Sequence, residues 1–121
     1  MSDVKRSLEE LMRLEGAVAV ALVDWSSGMA LGIAGGGSEF NAEVAAAGNT
    51  QVVRAKMQVI KNLQLNDTIE DILITLGKQY HLIRPLRSQP KLFLYISLNR
   101  TNANLAMARY ILQQVEAKLI I

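Results

Sequence analysis

Residues 40–63 constrain the fold of this chain more than any other segment. They read as one long helix carrying two apolar stripes. One stripe runs Val44, Gly48, Val52, Ala55, Val59 and Leu63; the other runs Ala42, Ala46, Val53, Met57 and Ile60. At about 3.6 residues per turn the stripe centres lie roughly 120° apart around the axis. One stripe can cover a sheet of the same domain. The other needs a second surface, which points to a protein partner rather than to a substrate.

The segments on either side predict the sheet. Residues 17–25 are almost wholly apolar, with no alternating polar face until Asp24. Residues 91–98, containing Leu92-Phe93-Leu94-Tyr95-Ile96, repeat that character. Strands of this kind are covered on both faces and belong at a sheet centre. Asp24-Trp25-Ser26-Ser27-Gly28 is a turn signal, so residues 29–33 return as the second arm of a hairpin. Gly35, Gly36 and Gly37 soften its far end. Further strands are expected over 68–76 and 80–86, with Pro85 restricted to a strand end or edge because it cannot donate a ladder bond.

Three helices complete the order. The first spans about 3–14 and stops at Gly16. The long one begins near Ser38 or Glu39 and runs to Leu63 or Leu65. The last is capped by Thr101 or Asn102 and runs to Leu119. The expected order is α-β-β-α-β-β-β-α, a five-stranded, mostly antiparallel sheet with helices on both faces. The first and last helices share one face, leaving the long helix alone on the other. A helix is about 10 Å wide, whereas five strands at ~4.8 Å spacing make a sheet over twice that width. The second face is therefore under-covered, and the spare helical stripe points the same way.

Composition narrows the class. With 121 residues, one domain over 1–121 is expected. The chain has no cysteine, which removes disulfides, thiol nucleophiles and thiolate metal sites and agrees with a reducing cytoplasm. The N-terminal MSDVKRSLEEL starts a helix rather than a signal peptide, and the apolar run 16–23 is too short to span a bilayer. Net charge is +2. Lys78, Arg84, Arg87, Lys91, Arg100 and Arg109 are scattered over several elements, not gathered into the patch that nucleic acid requires. The reading is a cytoplasmic protein with no membrane insertion and no nucleic-acid partner.

Chemistry-bearing residues are sparse. His81 is the sole histidine, lies within a strand and has no cysteine to complete a zinc pattern. Asp24 caps its own turn. Glu70 and Asp71 would point to opposite sides of a strand and do not have calcium-loop spacing. Gly35-Gly36-Gly37 lacks both the Walker and the dinucleotide spacing. Trp25 reads as half-buried packing, with an exposed partner anchor as the alternative. Arg84 and Arg87 are candidate partner contacts. No enzyme, no cofactor and no metal are expected.

Taken together, Leu8-Glu9-Glu10-Leu11, the strand 16–24 from Gly16 to Asp24, Gly28-Met29-Ala30-Leu31, Asp71-Ile72-Leu73-Ile74-Thr75 and Leu92-Phe93-Leu94-Tyr95-Ile96 resemble the Roadblock/LC7 family. That family includes dynein light chains, endosomal scaffold subunits and bacterial partners of Ras-like GTPases. The resemblance covers nearly the whole chain and rests on the pattern of strands and hairpin rather than on one motif. It implies a profilin-like α/β fold and a non-catalytic dimerisation module. Two copies would join through the helix 40–64 and the edge strand 68–76 into one continuous sheet, with a small GTPase engaged by the helical layer. No GTPase-contacting motif matches residue by residue, and the chain shows no C-terminal extension.

The expected homodimer interface is Ala45, Gly48, Val52, Ala55, Val59 and Leu63 with Ile72 and Ile74. The alternative helical set is Ala46, Val53, Met57 and Ile60. The polar ridge Glu43, Thr50, Arg54, Gln58 and Lys61 is left for a third protein. The other readings are a scaffold subunit without a GTPase and a small-molecule sensor with a polar cavity beneath the long helix.

Overall fold

The computed structural model describes residues 3–38 and 40–121. The elements are α1 (Val4–Met12), β1 (Ala17–Asp24), β2 (Met29–Gly35), α2 (Ala42–Asn62), β3 (Ile72–Thr75), β4 (Gln79–Pro85), β5 (Leu92–Asn99) and α3 (Leu105–Lys118). This is the expected order. The strands form one sheet in the order β2-β1-β5-β4-β3, and every neighbouring pair is antiparallel.

The two all-apolar strands sit where their composition requires. β1 and β5 pair at the sheet interior, with Val20 opposite Ile96 and Leu22 opposite Leu94. Alternation along each strand divides the core in two. Val20, Leu22, Leu82, Leu94 and Ile96 pack against Leu8 and Leu11 of α1 and Ala108, Leu112 and Val115 of α3. Ala21, Val23, Ile83, Phe93 and Tyr95 pack against Ala46 and Val53 of α2. The outer helices therefore share one face and α2 is alone on the other.

Local chemistry sets the boundaries. Asp3 caps α1 by accepting from the Arg6 amide at 2.9 Å. Gly16 turns the chain into β1 at φ +86°, where an added Cβ would press on the backbone of Asn99 and Ala103 at 3.0 and 3.1 Å. Pro85 closes β4 at its end, as its missing amide demands.

Three expected boundaries move. Of the two expected starts of the long helix, Ser38 lies in a turn and Glu39 lies outside the described residues; α2 begins after Asn41, whose side chain accepts from the Val44 amide at 3.1 Å. Thr101 and Asn102 do not cap the last helix. They close a turn on Asn99, and Asn104 caps instead, accepting from the Met107 amide. The strand expected over 68–76 shrinks to four residues; Glu70 and Asp71, just before it, pair instead with Arg87 and Arg109. At its other end α2 closes with the Leu65 amide on the Ile60 carbonyl and the Gln64 amide on that of Lys61. Gln64 takes φ 54° at the position where glycine is usual.

Candidate functional site

The long helix resolves its two stripes. Ala42, Ala46 and Val53 turn inward and are all but sealed, joined by Asn49 and Thr50. Met57 is half-buried against the same cluster. Ala46 and Val53 are thus removed as interface candidates: they cover the chain's own sheet. The first stripe faces outward. Val44 is 66% exposed, Val59 41% and Leu63 64%, and Gly48 and Ala55 are open as well.

The outward stripe has a direction. Ala45 and Val52 are half-buried on the flank of α2 and touch the cluster that includes Ile72 and Ile74 of β3. β3 has one neighbour, β4, so its other edge is unpaired. Between this flank and β3 runs an open trough of about 980 Å³, lined by Val52, Lys56, Ile60, Ile69, Ile72 and Arg87 among others. Val52, Ile60 and Ile72 line this half-covered strip, with Ala45 and Ile74 half-buried against the same core cluster and Val59 and Leu63 exposed on the helix.

The polar ridge leans the opposite way. Arg54 donates from Nε to the Trp25 carbonyl and from Nη2 to the Ser26 carbonyl, each at 2.8 Å. It clamps the β1–β2 hairpin onto α2. Thr50 is 2% exposed, and its hydroxyl donates to the Ala46 carbonyl within the helix, so it is withdrawn from any partner. Glu43, Gln58 and Lys61 remain exposed, although the Gln58 amide donates to Asn62 at 2.8 Å. Trp25 is half-buried, with its indole N–H on the Pro90 carbonyl at 2.8 Å, which is the packing role expected of it.

No family model matches the sequence, and no curated protein matches it. Solved structures do match the architecture. The Roadblock/LC7 domain from Streptomyces avermitilis superposes with a TM-score of 0.81 at 13% identity, over 97% of this chain and 94% of that one. Myxococcus xanthus MglB gives 0.81 at 17% identity, over 93% and 81%. An MglB in a tetrameric arrangement gives 0.77 at 15% identity, over 94% and 82%. This is the Roadblock/LC7 fold.

Within the Roadblock/LC7 fold, ion pairs tie α3 to β4 and to the segment that leads into the short edge strand. Glu116 of α3 accepts from Arg84 Nε at 2.6 Å, and both side chains are 10% exposed. Its other oxygen accepts from the Arg87 amide at 2.8 Å. Arg87 pairs with Glu70 on the surface, and Arg109 of α3 holds Asp71 at 3.0 Å. Arg84 and Arg87, singled out above as partner contacts, are engaged within the fold. Sequence reasoning missed the partner of Arg84 because Glu116 lies 32 positions away and nothing local marks it.

The groups with chemical potential are used structurally. Asp24 accepts from the Ser26 amide and hydroxyl, and these bonds hold its carboxyl below the usual range. His81 lies on the α2 side of the sheet. Its Nε2 is 2.8 Å from Gln79 Oε1, and the Tyr95 hydroxyl is 3.3 Å from its Nδ1. The Ser97 hydroxyl shares the Gln79 oxygen at 3.1 Å. Burial pushes the His81 imidazole down and the Tyr95 phenol up. Among the described residues no group of three His, Asp or Glu is placed to hold a metal, and no helix is long and apolar enough to cross a membrane.

Proposed function

We propose that this chain is a non-catalytic adaptor that works as a homodimer and engages a Ras-like small GTPase. The observation that carries the pairing is the juxtaposition at β3. An unpaired strand edge, a half-covered sheet face and the apolar flank of α2 all open in one direction. A second copy related by a two-fold axis through that edge continues the sheet and places its own α2 in the same layer. Ala45, Gly48, Val52, Ala55, Val59 and Leu63 then meet the partner's helix, and Ile72 and Ile74 form the seam. Ile60 and Met57 flank it. Exposed edges invite pairing of this kind, and an isologous interface needs only one self-complementary patch. The tetrameric MglB of the same fold supports self-association.

The resemblance to Roadblock/LC7 domains that partner Ras-like GTPases supports the second half of the reading. With the β3 flank used by the second copy, Glu43, Gln58 and Lys61 form the exposed polar ridge available to a GTPase, and Arg54 shapes it through the hairpin. Two measurements test the proposal. Sedimentation at micromolar concentration should return twice the chain mass. Capture of Ras-like GTPases loaded with GDP or with a GTP analogue should depend on nucleotide. A monomer at all concentrations defeats the pairing; failure to capture any GTPase in either state leaves a scaffold subunit.

A further inference from the structure

We propose that His81 makes self-association of this chain sensitive to pH, with the neutral imidazole belonging to the seam that a second copy covers. The inference rests on the pairing proposed above. His81 is the only histidine and is half-buried one strand in from the β3 edge, beside the strip. It is opposite Ile74 of β3 and opposite Ser97 of β5, and it shares a strand face with Ile83. The Phe40 and Tyr95 rings meet it edge-on at centroid distances of 6.2 and 5.4 Å.

The hydrogen bonds around the ring suit the neutral form. With the Tyr95 hydroxyl donating to Nδ1, the proton sits on Nε2 and is donated to the Gln79 amide oxygen, which the Ser97 hydroxyl also serves. One ring nitrogen accepts and the other donates, so both are satisfied without a charge. Among the described residues the groups around the ring are uncharged: Ile74 from β3, Gln79 from β4, Tyr95 and Ser97 from β5 and Phe40 before α2. Glu43, Arg54 and Lys56 of α2, Asp71 beside β3 and Lys78 in the β3–β4 turn make no hydrogen bond or ion pair with it. No described carboxylate is bonded to the ring to balance a proton on it.

Burial already depresses the basicity of this imidazole in one copy, and cover by a second copy depresses it further. The sign follows. The dimer binds fewer protons than two separate chains, so association is complete at neutral pH and weakens as pH falls through the single chain's own depressed midpoint, below the ordinary histidine range. Each dimer carries two such rings, so the effects of both depressions multiply in Kd.

The test is sedimentation of the full chain at pH 7.5 and at about one pH unit below the imidazole midpoint of the dilute wild type, at constant ionic strength, beside His81→Gln. The expected result is a Kd at least about tenfold weaker at the lower pH for the wild type and unchanged within about twofold for His81→Gln. A wild-type Kd that does not move overturns the switch and leaves the dimer standing. An equal fall in both proteins also overturns it, because other groups then carry the effect. A monomer at pH 7.5 overturns the dimer itself and the switch with it. Because His81→Gln could disturb the fold, the imidazole of the wild type is also titrated by NMR in dilute and concentrated samples. Its midpoint should fall as protein concentration rises, and a midpoint independent of concentration overturns the proposal.

Discussion

The two faces of the sheet have the same width and different cover. On one, α1 and α3 lie side by side and seal Leu8, Leu11, Leu82, Leu94, Ile96 and Leu112 to 2% exposure or less. On the other, α2 alone seals Val23, Phe93 and Tyr95, while Phe40, Ile72, Ile74 and Trp25 stay half-covered. Two helices of about 10 Å span five strands; one does not. The first face is a finished core whose stability is intramolecular. The second is left part-open by this chain, and the proposed pairing would close it on the β3 side.

The sealed face offers the largest effect with which to break this contrast. Leu112→Ala removes a side chain that is 1% exposed at the centre of that core and should destabilise the fold by about 2–5 kcal/mol. Thermal unfolding should shift equally at low and high protein concentration. A loss that disappears on raising the concentration would mean that this face, too, is completed by association.

Next in size is the buried pair that ties α3 to β4. Arg84→Ala leaves the Glu116 carboxylate with the Arg87 amide alone. A broken buried pair destabilises by about 3 kcal/mol, and the pair is covered well enough that solvent screening takes little away. Arg84→Met with Glu116→Leu should recover most of the loss, as measured by urea unfolding. Because Arg84 also reaches the Glu70 carbonyl at 3.5 Å, and both variants lack it, hydrogen exchange beside β3 should rise in the single and in the double variant alike, whatever the recovery in global stability.

The half-covered face should respond in the opposite manner. Val59→Glu changes an exposed residue, so the unfolding free energy of dilute protein should move by less than about 0.5 kcal/mol. Association should weaken by roughly 2 kcal/mol or more, since an unpaired carboxylate would enter an apolar seam. Sedimentation separates the two quantities. A large loss of stability in dilute solution would place Val59 in the chain's own core and cancel the contrast.

How much of this was legible depended on the range of the interactions involved. The order of eight elements, the central positions of β1 and β5 and the lone helix on one face all follow from local patterns: unbroken apolar runs, 3.6-residue stripes and turn residues. The excess of apolar surface on α2 was equally visible. Which stripe faced inward was not, because both stripes are apolar and the choice is made by Ala21, Val23, Phe93 and Tyr95 across the sheet. Thr50 and Arg54 were misread for the same reason. A polar side chain on a helix reads as solvated unless its partner is known, and those partners are the Ala46 carbonyl and a hairpin 28–29 residues away. The ion pairs of Glu70 and Asp71 just before β3 were hidden likewise, their arginines lying 17 and 38 positions away.

The smallest change is the sharpest. Gly48 lies on the outward side of α2, and a Cβ built there meets nothing within 4 Å. In one isolated chain, Gly48→Ala should therefore stabilise by up to about 1 kcal/mol, the helix-propensity difference, with no steric penalty against it. In a pair the sign depends on what approaches that point. If the partner's helix packs closely over Gly48, a methyl group there holds the backbones apart, and association weakens although each copy is more stable. Dilute-solution unfolding and the sedimentation Kd should then move in opposite directions. Movement in the same direction would show that the seam runs lower on the flank, through Ala45 and Val52, with Gly48 left facing the solvent or the third protein. Either result distinguishes the part of the half-covered face that a second copy closes from the part that it leaves open.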